Sequence, residues 1–153
     1  MDAQRRRVVR AVGGGSLLFA SRLLEAAGPE PAWDSVAFEA HSFADAARAF
    51  GRGTPAESRD IALTSPDLAE NGAVVPFTVE SRVPATAHIA LLVEKNPWTL
   101  AVSFGIPPGT DPWVTTRVKM AETSRVIALV ATADGNLYFT SKQVKVTAGG
   151  CGG

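Results

Sequence analysis

The residues Gly149-Gly150-Cys151-Gly152-Gly153 set the one cysteine of a 153-residue chain between two pairs of glycines at its C-terminal end. A thiolate is a nucleophile, and glycine supplies neither a Cβ to pack nor a restraint on the backbone. Four glycines around one thiol cost heavily in ordering entropy and contribute no burial, so the segment reads as a reactive handle on a flexible tether. With no second cysteine, Cys151 has no internal disulfide partner, and its chemistry is intermolecular. From Val146 an extended chain reaches Cys151 over roughly 17 Å, and side chains that are absent cannot collide with the walls of a partner's cleft. The nearest fixed cation is Lys145 and the terminal carboxylate lies close by, so nothing clearly stabilises a thiolate whose ordinary pKa is about 8.5. The expectation is a carrier whose thiol is activated by the enzymes it visits, with no catalytic residues of its own.

Other chemistry-bearing residues form no constellation. His41 and His88 stand in no metal-ligand spacing and read as surface or capping residues, with no metal expected. Asp111, Glu122 and Asp134 fall at turns and strand ends, where solvated carboxylates belong, and do not make an acid–base pair. No nucleophile elbow, phosphate loop or dinucleotide fingerprint occurs, and no cofactor is called for. Trp98 and Trp113 each follow a proline; packing against the edge of a core is favoured for both over recognition of a partner.

What would hold such a handle is a small β domain. Val36, Phe38, Phe43, Ala46, Ala47 and Phe50 recur at helical spacing, with Ser42 to cap and Gly51 to end the last turn, which predicts a short helix over Phe43 to Phe50. After Gly51-Arg52-Gly53-Thr54-Pro55 the period drops to near two. Seven runs then read as strands: Asp60 to Thr64, Val74 to Ser81, His88 to Glu94, Thr99 to Phe104, Val114 to Met120, Ser124 to Ala131 and Leu137 to Val146. Asn71-Gly72, Val83-Pro84, Asn96-Pro97, Pro107-Pro108-Gly109 and Asp134-Gly135 separate them as turns. The fold class expected is all-β, an immunoglobulin-like sandwich of about seven strands with a short N-terminal helix and a flexible C-terminal glycine arm. Val126 to Ala131 and Ile89 to Val93 are apolar on both alternating faces, so the second face must be covered by the helix or by another subunit. The outer strand faces near Val126 to Ala131 are the favoured subunit interface.

Composition narrows the partners. Lys plus Arg and Asp plus Glu number 15 each, and no basic cluster lies beyond the first ten residues, which argues against nucleic acid. The longest apolar run is far short of the ~20 residues of a spanning helix, so no membrane anchor is expected. Gln4-Arg5-Arg6-Arg7-Val8-Val9-Arg10, followed by a weakly apolar Ala11 to Ala20, fits a twin-arginine export signal; a basic helix that stays in the cytosol is the alternative. Processing near Ala26-Ala27-Gly28 divides the chain into a leader of residues 1–28, a domain over 29–147 and an arm over 148–153.

At these residues the chain resembles the SoxY family, the sulfur-binding subunits of the bacterial SoxYZ sulfur-oxidation carrier. The tail matches that family's GGCGG swinging arm, and the likeness extends over about Phe38 to Gly153. It includes Glu70-Asn71-Gly72, Val74-Val75-Pro76-Phe77-Thr78-Val79, Glu94-Lys95-Asn96-Pro97, Ser103-Phe104, Thr116-Arg117-Val118 and Val144-Lys145-Val146-Thr147. The resemblance implies an immunoglobulin-like sandwich, a heterodimer with a SoxZ-like subunit, and sulfur intermediates carried on Cys151. It implies visits to a SoxXA-type cytochrome, a SoxB-type hydrolase and, in some systems, a sulfur dehydrogenase, all in the periplasm. Against this periplasmic carrier of thiosulfate-derived sulfur stand two other readings. One is a sandwich module tethered to a partner by a terminal-cysteine disulfide; the other is a thiol reductase or peroxidase, which would need a resolving cysteine or a low-pKa site.

Overall fold

The computed structural model describes residues 35–147; the leader and the arm of the sequence reading lie outside them. Two helices come first, α1 (Ser35–Phe38) and α2 (Phe43–Phe50). Helix α2 occupies the span expected for it because its start is capped twice over. The Ser42 hydroxyl accepts from Asp45 N at 3.1 Å and donates to the Asp45 carboxylate at 2.6 Å. Arg48 Nη1 closes the set on Asp45 Oδ1 at 2.6 Å. These bonds hold the exposed Asp45 carboxyl below its ordinary value, Ser42 contributing most.

Gly51 ends the last turn of α2 as expected, and its φ of −178° is extended backbone. It is there for clearance: a Cβ at this position would lie 2.6 Å from Gly135 O and 2.7 Å from Leu137 Cδ2. Arg52 N donates to the same Gly135 carbonyl at 2.9 Å, which seats the end of α2 on the turn at Asp134-Gly135. Gly135 itself has φ +85°, the left-handed conformation that the turn requires.

Nine strands follow: β1 (Ala56–Glu57), β2 (Ile61–Thr64), β3 (Leu68–Ala69), β4 (Val75–Ser81), β5 (Thr86–Val93), β6 (Leu100–Gly105), β7 (Trp113–Val118), β8 (Ser124–Thr132) and β9 (Leu137–Val146). Seven of them answer to the seven apolar runs. The other two, β1 and β3, are two residues long and leave no alternating trace in the sequence. One sheet runs β1-β9-β8-β5-β6, with β3 also on β9; the other is β2-β4-β7. Its main ladders are antiparallel, whereas β1 and β3 both pair with β9 in parallel. The architecture is a two-sheet, immunoglobulin-like sandwich.

The double apolar character of the central strands is resolved by a third layer. Val126, Ala128 and Val130 of β8 face the second sheet and pack with Phe77, Val79, Ile89 and Leu91. Ile127, Leu129 and Ala131 face the opposite way, beneath Ala37, Ala40, Ala46 and Ala47 of the helical segment. Both sets are at most 1% exposed. The subunit interface expected on the outer faces near Val126 to Ala131 is therefore corrected, since the chain's own helices cover that surface. Alanine on the helices lets them sit close to the sheet, and each large aliphatic buried beneath them contributes about 1.5–3 kcal/mol.

Candidate functional site

Cys151 and the arm glycines Gly149, Gly150, Gly152 and Gly153 lie outside the described residues. What the structure does describe is the base from which the arm departs. Strand β9 is the longest among the described residues, and the end of its ladder is held from three directions. On one side Val144 pairs with Ser124 of β8; on the other, Lys145 and Val146 pair with Leu68 and Ala69 of β3. Lys145 N donates to Asp67 O at 2.9 Å and Thr147 N to Ala69 O at 3.1 Å, which carries the parallel pairing to the last described residue.

Side chains complete the clamp. The Thr123 hydroxyl accepts from Val146 N at 2.9 Å, and the Thr147 hydroxyl donates to Glu70 O at 3.2 Å. Lys142 Nζ reaches Ser65 O at 2.6 Å and Asp67 Oδ1 at 2.9 Å, fastening the segment ahead of β3 to β9. The Lys142 bond holds the exposed Asp67 carboxyl below its ordinary value. A fixed base makes the reach of whatever follows Thr147 a matter of chain length: from there to Cys151 is at most about 13–14 Å of extended chain. Lys145 is exposed and has no ion pair among the described residues.

At the same end of the sandwich a cavity of about 350 Å³ opens between the β5–β6 turn and the end of β7. Trp98, Leu100, Ala101, Arg117, Lys119 and Ala121 are among its walls. Asn96 braces it from both sides, donating to Lys119 O at 2.7 Å and accepting from Ala121 N at 2.9 Å. Ala121 is followed closely by Thr123, whose hydroxyl holds Val146, so cavity and arm base share one short stretch of chain. The sequence reading did not single out this cavity. Its basic residues sit in an alternating strand and its link, where a charge looks like an ordinary solvated face.

The other candidates fall mostly where they were expected. His41 is a structural residue: its Nδ1 lies 2.9 Å from Pro97 O and its ring stacks on Trp98 with centroids 4.6 Å apart. His88 is exposed, beside Phe50 at 6.3 Å, and no metal-binding group of three His, Cys, Asp or Glu occurs among the described residues. Glu122 pairs with Lys95 at 3.7 Å. Asp134 accepts from Thr132 and Asn136 in the turn before β9, bonds that keep its carboxyl below the ordinary value. Trp98 and Trp113 depart from expectation. They remain 52% and 56% exposed, so neither is an edge piece of the core.

The model of the family described as "Sulfur oxidation protein SoxY" matches residues 46–151, a span that closes on the cysteine itself. Among solved structures, the sulfur carrier protein SoxY from Chlorobium limicola f. thiosulfatophilum is 35% identical, with a TM-score of 0.59 over 67% of this chain and 92% of that one. A superoxide reductase (neelaredoxin) from Ignicoccus hospitalis is 16% identical, with a TM-score of 0.50 over 57% of this chain and 80% of that one, a likeness of fold alone. A search of curated proteins found no match.

Proposed function

From the premise that this chain belongs to the SoxY family of sulfur oxidation proteins, we propose that it is a periplasmic sulfur carrier holding its cargo covalently on Cys151. The observation that carries the reading is the family match running to residue 151, a lone thiol framed by Gly149, Gly150, Gly152 and Gly153. The clamp on β9 supports it, because a handle that is to be offered to several enzymes needs a defined point of attachment. Thiolate and thiosulfate join by loss of two electrons to a cytochrome of the SoxXA type, forming an S–S bond and a cysteine S-thiosulfonate. Water then attacks the terminal sulfonate sulfur at a SoxB-type hydrolase, its oxygen and one proton leave as hydrogen sulfate, and the other proton stays on the persulfide. A sulfur dehydrogenase, where the system has one, oxidises that persulfide further. Cys151 supplies the nucleophile and the leaving group throughout, and persulfidation is a reversible state of cysteine.

The carrier works as one half of a heterodimer with a SoxZ-like subunit, and residues 1–28 direct its export through the twin-arginine pathway. Intact mass spectrometry of the protein from thiosulfate-grown source cells, with and without reductant, tests the proposal. Reducible sulfur adducts confined to the peptide bearing Cys151 are expected, together with loss of the leader. One constant adduct of protein size would instead establish the disulfide tether. Cys151→Ser is expected to abolish loading while the unfolding midpoint and heterodimer formation stay at wild-type values; loss of either would sink the swinging-arm account.

A further inference from the structure

Among the described residues, strand β6 is the outermost strand on its side of the larger sheet and is laddered only to β5. Ile106 N donates to Ala87 O at 2.8 Å, and pairing in an antiparallel ladder alternates from there. Phe104 and Val102 thus spend their backbone groups on Ile89 and Leu91, while Ser103 and Gly105 turn theirs away from β5. Ala101 is a bulge, since Leu91 pairs with Val102 and Leu92 with Leu100; beyond it, Val102 to Gly105 is regular strand.

Free edges are ordinarily blunted by charge, by proline within the strand or by a covering element. From Asn96 to Thr110 the chain carries no charged residue, and its prolines stand outside β6. Ala101, Val102, Ser103 and Phe104 are all half-buried, as if awaiting a neighbour on either face. At the head of this edge lie the exposed indole of Trp98 and the cavity flanked by Arg117 and Lys119, neither of which has an ion pair among the described residues. A charge-poor strip with an aromatic and cations at its rim has the composition of a protein interface, and two unpaired cations ask for a carboxylate.

We infer that the β6 edge is the seat of the partner subunit, which adds an uncharged β-strand alongside Val102 to Gly105 and sets an acidic side chain against Arg117 and Lys119. This rests on the heterodimer reading above and gives it a location. Recognition is by strand addition: backbone hydrogen bonds at Ser103 and Gly105 supply adhesion, and the cationic cavity supplies register.

The test uses the full chain co-expressed with the SoxZ-like subunit of the same source. Hydrogen exchange at the Ser103 and Gly105 amides is expected to slow at least tenfold in the complex. Ser103→Pro removes one outward N–H while leaving the β5 ladder untouched, and is expected to weaken association at least tenfold with an unchanged unfolding midpoint. Ser103→Ala, which keeps the N–H, restores wild-type affinity, and Arg117→Glu with Lys119→Glu also weakens it at least tenfold. Should Ser103→Pro fail to fold, amide exchange in the wild-type complex decides. A complex that leaves β6 unprotected, or that Ser103→Pro and the charge reversals do not weaken, overturns the location while preserving the heterodimer. Concentration-dependent protection of β6 in the chain alone overturns it in favour of a second copy. No association between the wild-type subunits would remove the heterodimer reading, and this inference with it.

Discussion

The two edges of the larger sheet are treated in opposite ways. Beyond β9, the short strands β1 and β3 pair in parallel with its backbone, and Lys142 bolts the Ser65–Asp67 segment against it. Beyond β6, no strand is paired among the described residues. The closed edge is the one from which the arm departs, and the open edge lies two strands away from it, across β8 and β5. The contrast teaches that a sheet can divide its labour by edge: backbone groups consumed internally make a rigid mount, and those left over make a receptor.

Proline placed on each edge separates the two most sharply. In the β8–β9 ladder Thr132 N donates to Asn136 O at 3.0 Å, so alternation points the Thr140 N–H at Ala128. Thr140→Pro is therefore expected to cost about 3 kcal/mol or more in chemical denaturation, through the lost bond and the ring's clash with the ladder. Ser103→Pro, the same substitution on the open edge, should leave that curve in place; equal losses would erase the distinction.

Thr123→Val sharpens the mount. It strands Val146 N without its 2.9 Å acceptor, and a loss of about 1–2 kcal/mol is expected, with faster amide exchange at Val146 and Thr147 and none at β6. On the open side, Thr99 Oγ1 is buried with no hydrogen-bond partner among the described residues. Thr99→Val removes that stranded hydroxyl at nearly constant shape, and its melting curve should show a gain of up to about 1 kcal/mol.

Acid should act on the closed edge alone and least of all. Asp67 titrates below the ordinary 3.8 because Lys142 donates to it. A lowered folded-state value means that its contribution is whole above about 3.8 and is lost as pH falls through the lower folded value. Exchange at Lys145, bonded to the Asp67 carbonyl, should then quicken below that pH, while β6, with no carboxylate between Asn96 and Thr110, stays unchanged.

Much of this was legible in the chain. Helix α2 and its Ser42 cap carry a periodic face and a local hydrogen bond, both of which are written in neighbouring residues. The seven longer strands alternate over enough positions to be read. The strands β1 and β3 were invisible because two residues cannot alternate, and their pairing with β9 is decided more than seventy residues downstream. The second apolar face of β8 was seen, but its owner was ambiguous: four alanines on a helical segment look no more like a lid than like a solvated turn. The reading of the Cys151 thiol rests on its glycine setting alone, and that residue lies outside the described ones. The open edge was not legible, because an uncharged strand declares itself only when its neighbours are known.

Strand β9 also has a place in time. It pairs with β1, β3 and β8, so the sheet cannot be completed until β9 has been made, and β1 and β3 find it only across more than seventy residues. Such distant pairings close slowly compared with local hairpins. Completion of the edge beyond β9 is thus the slow part of building this sheet, and the mount of the arm forms with it.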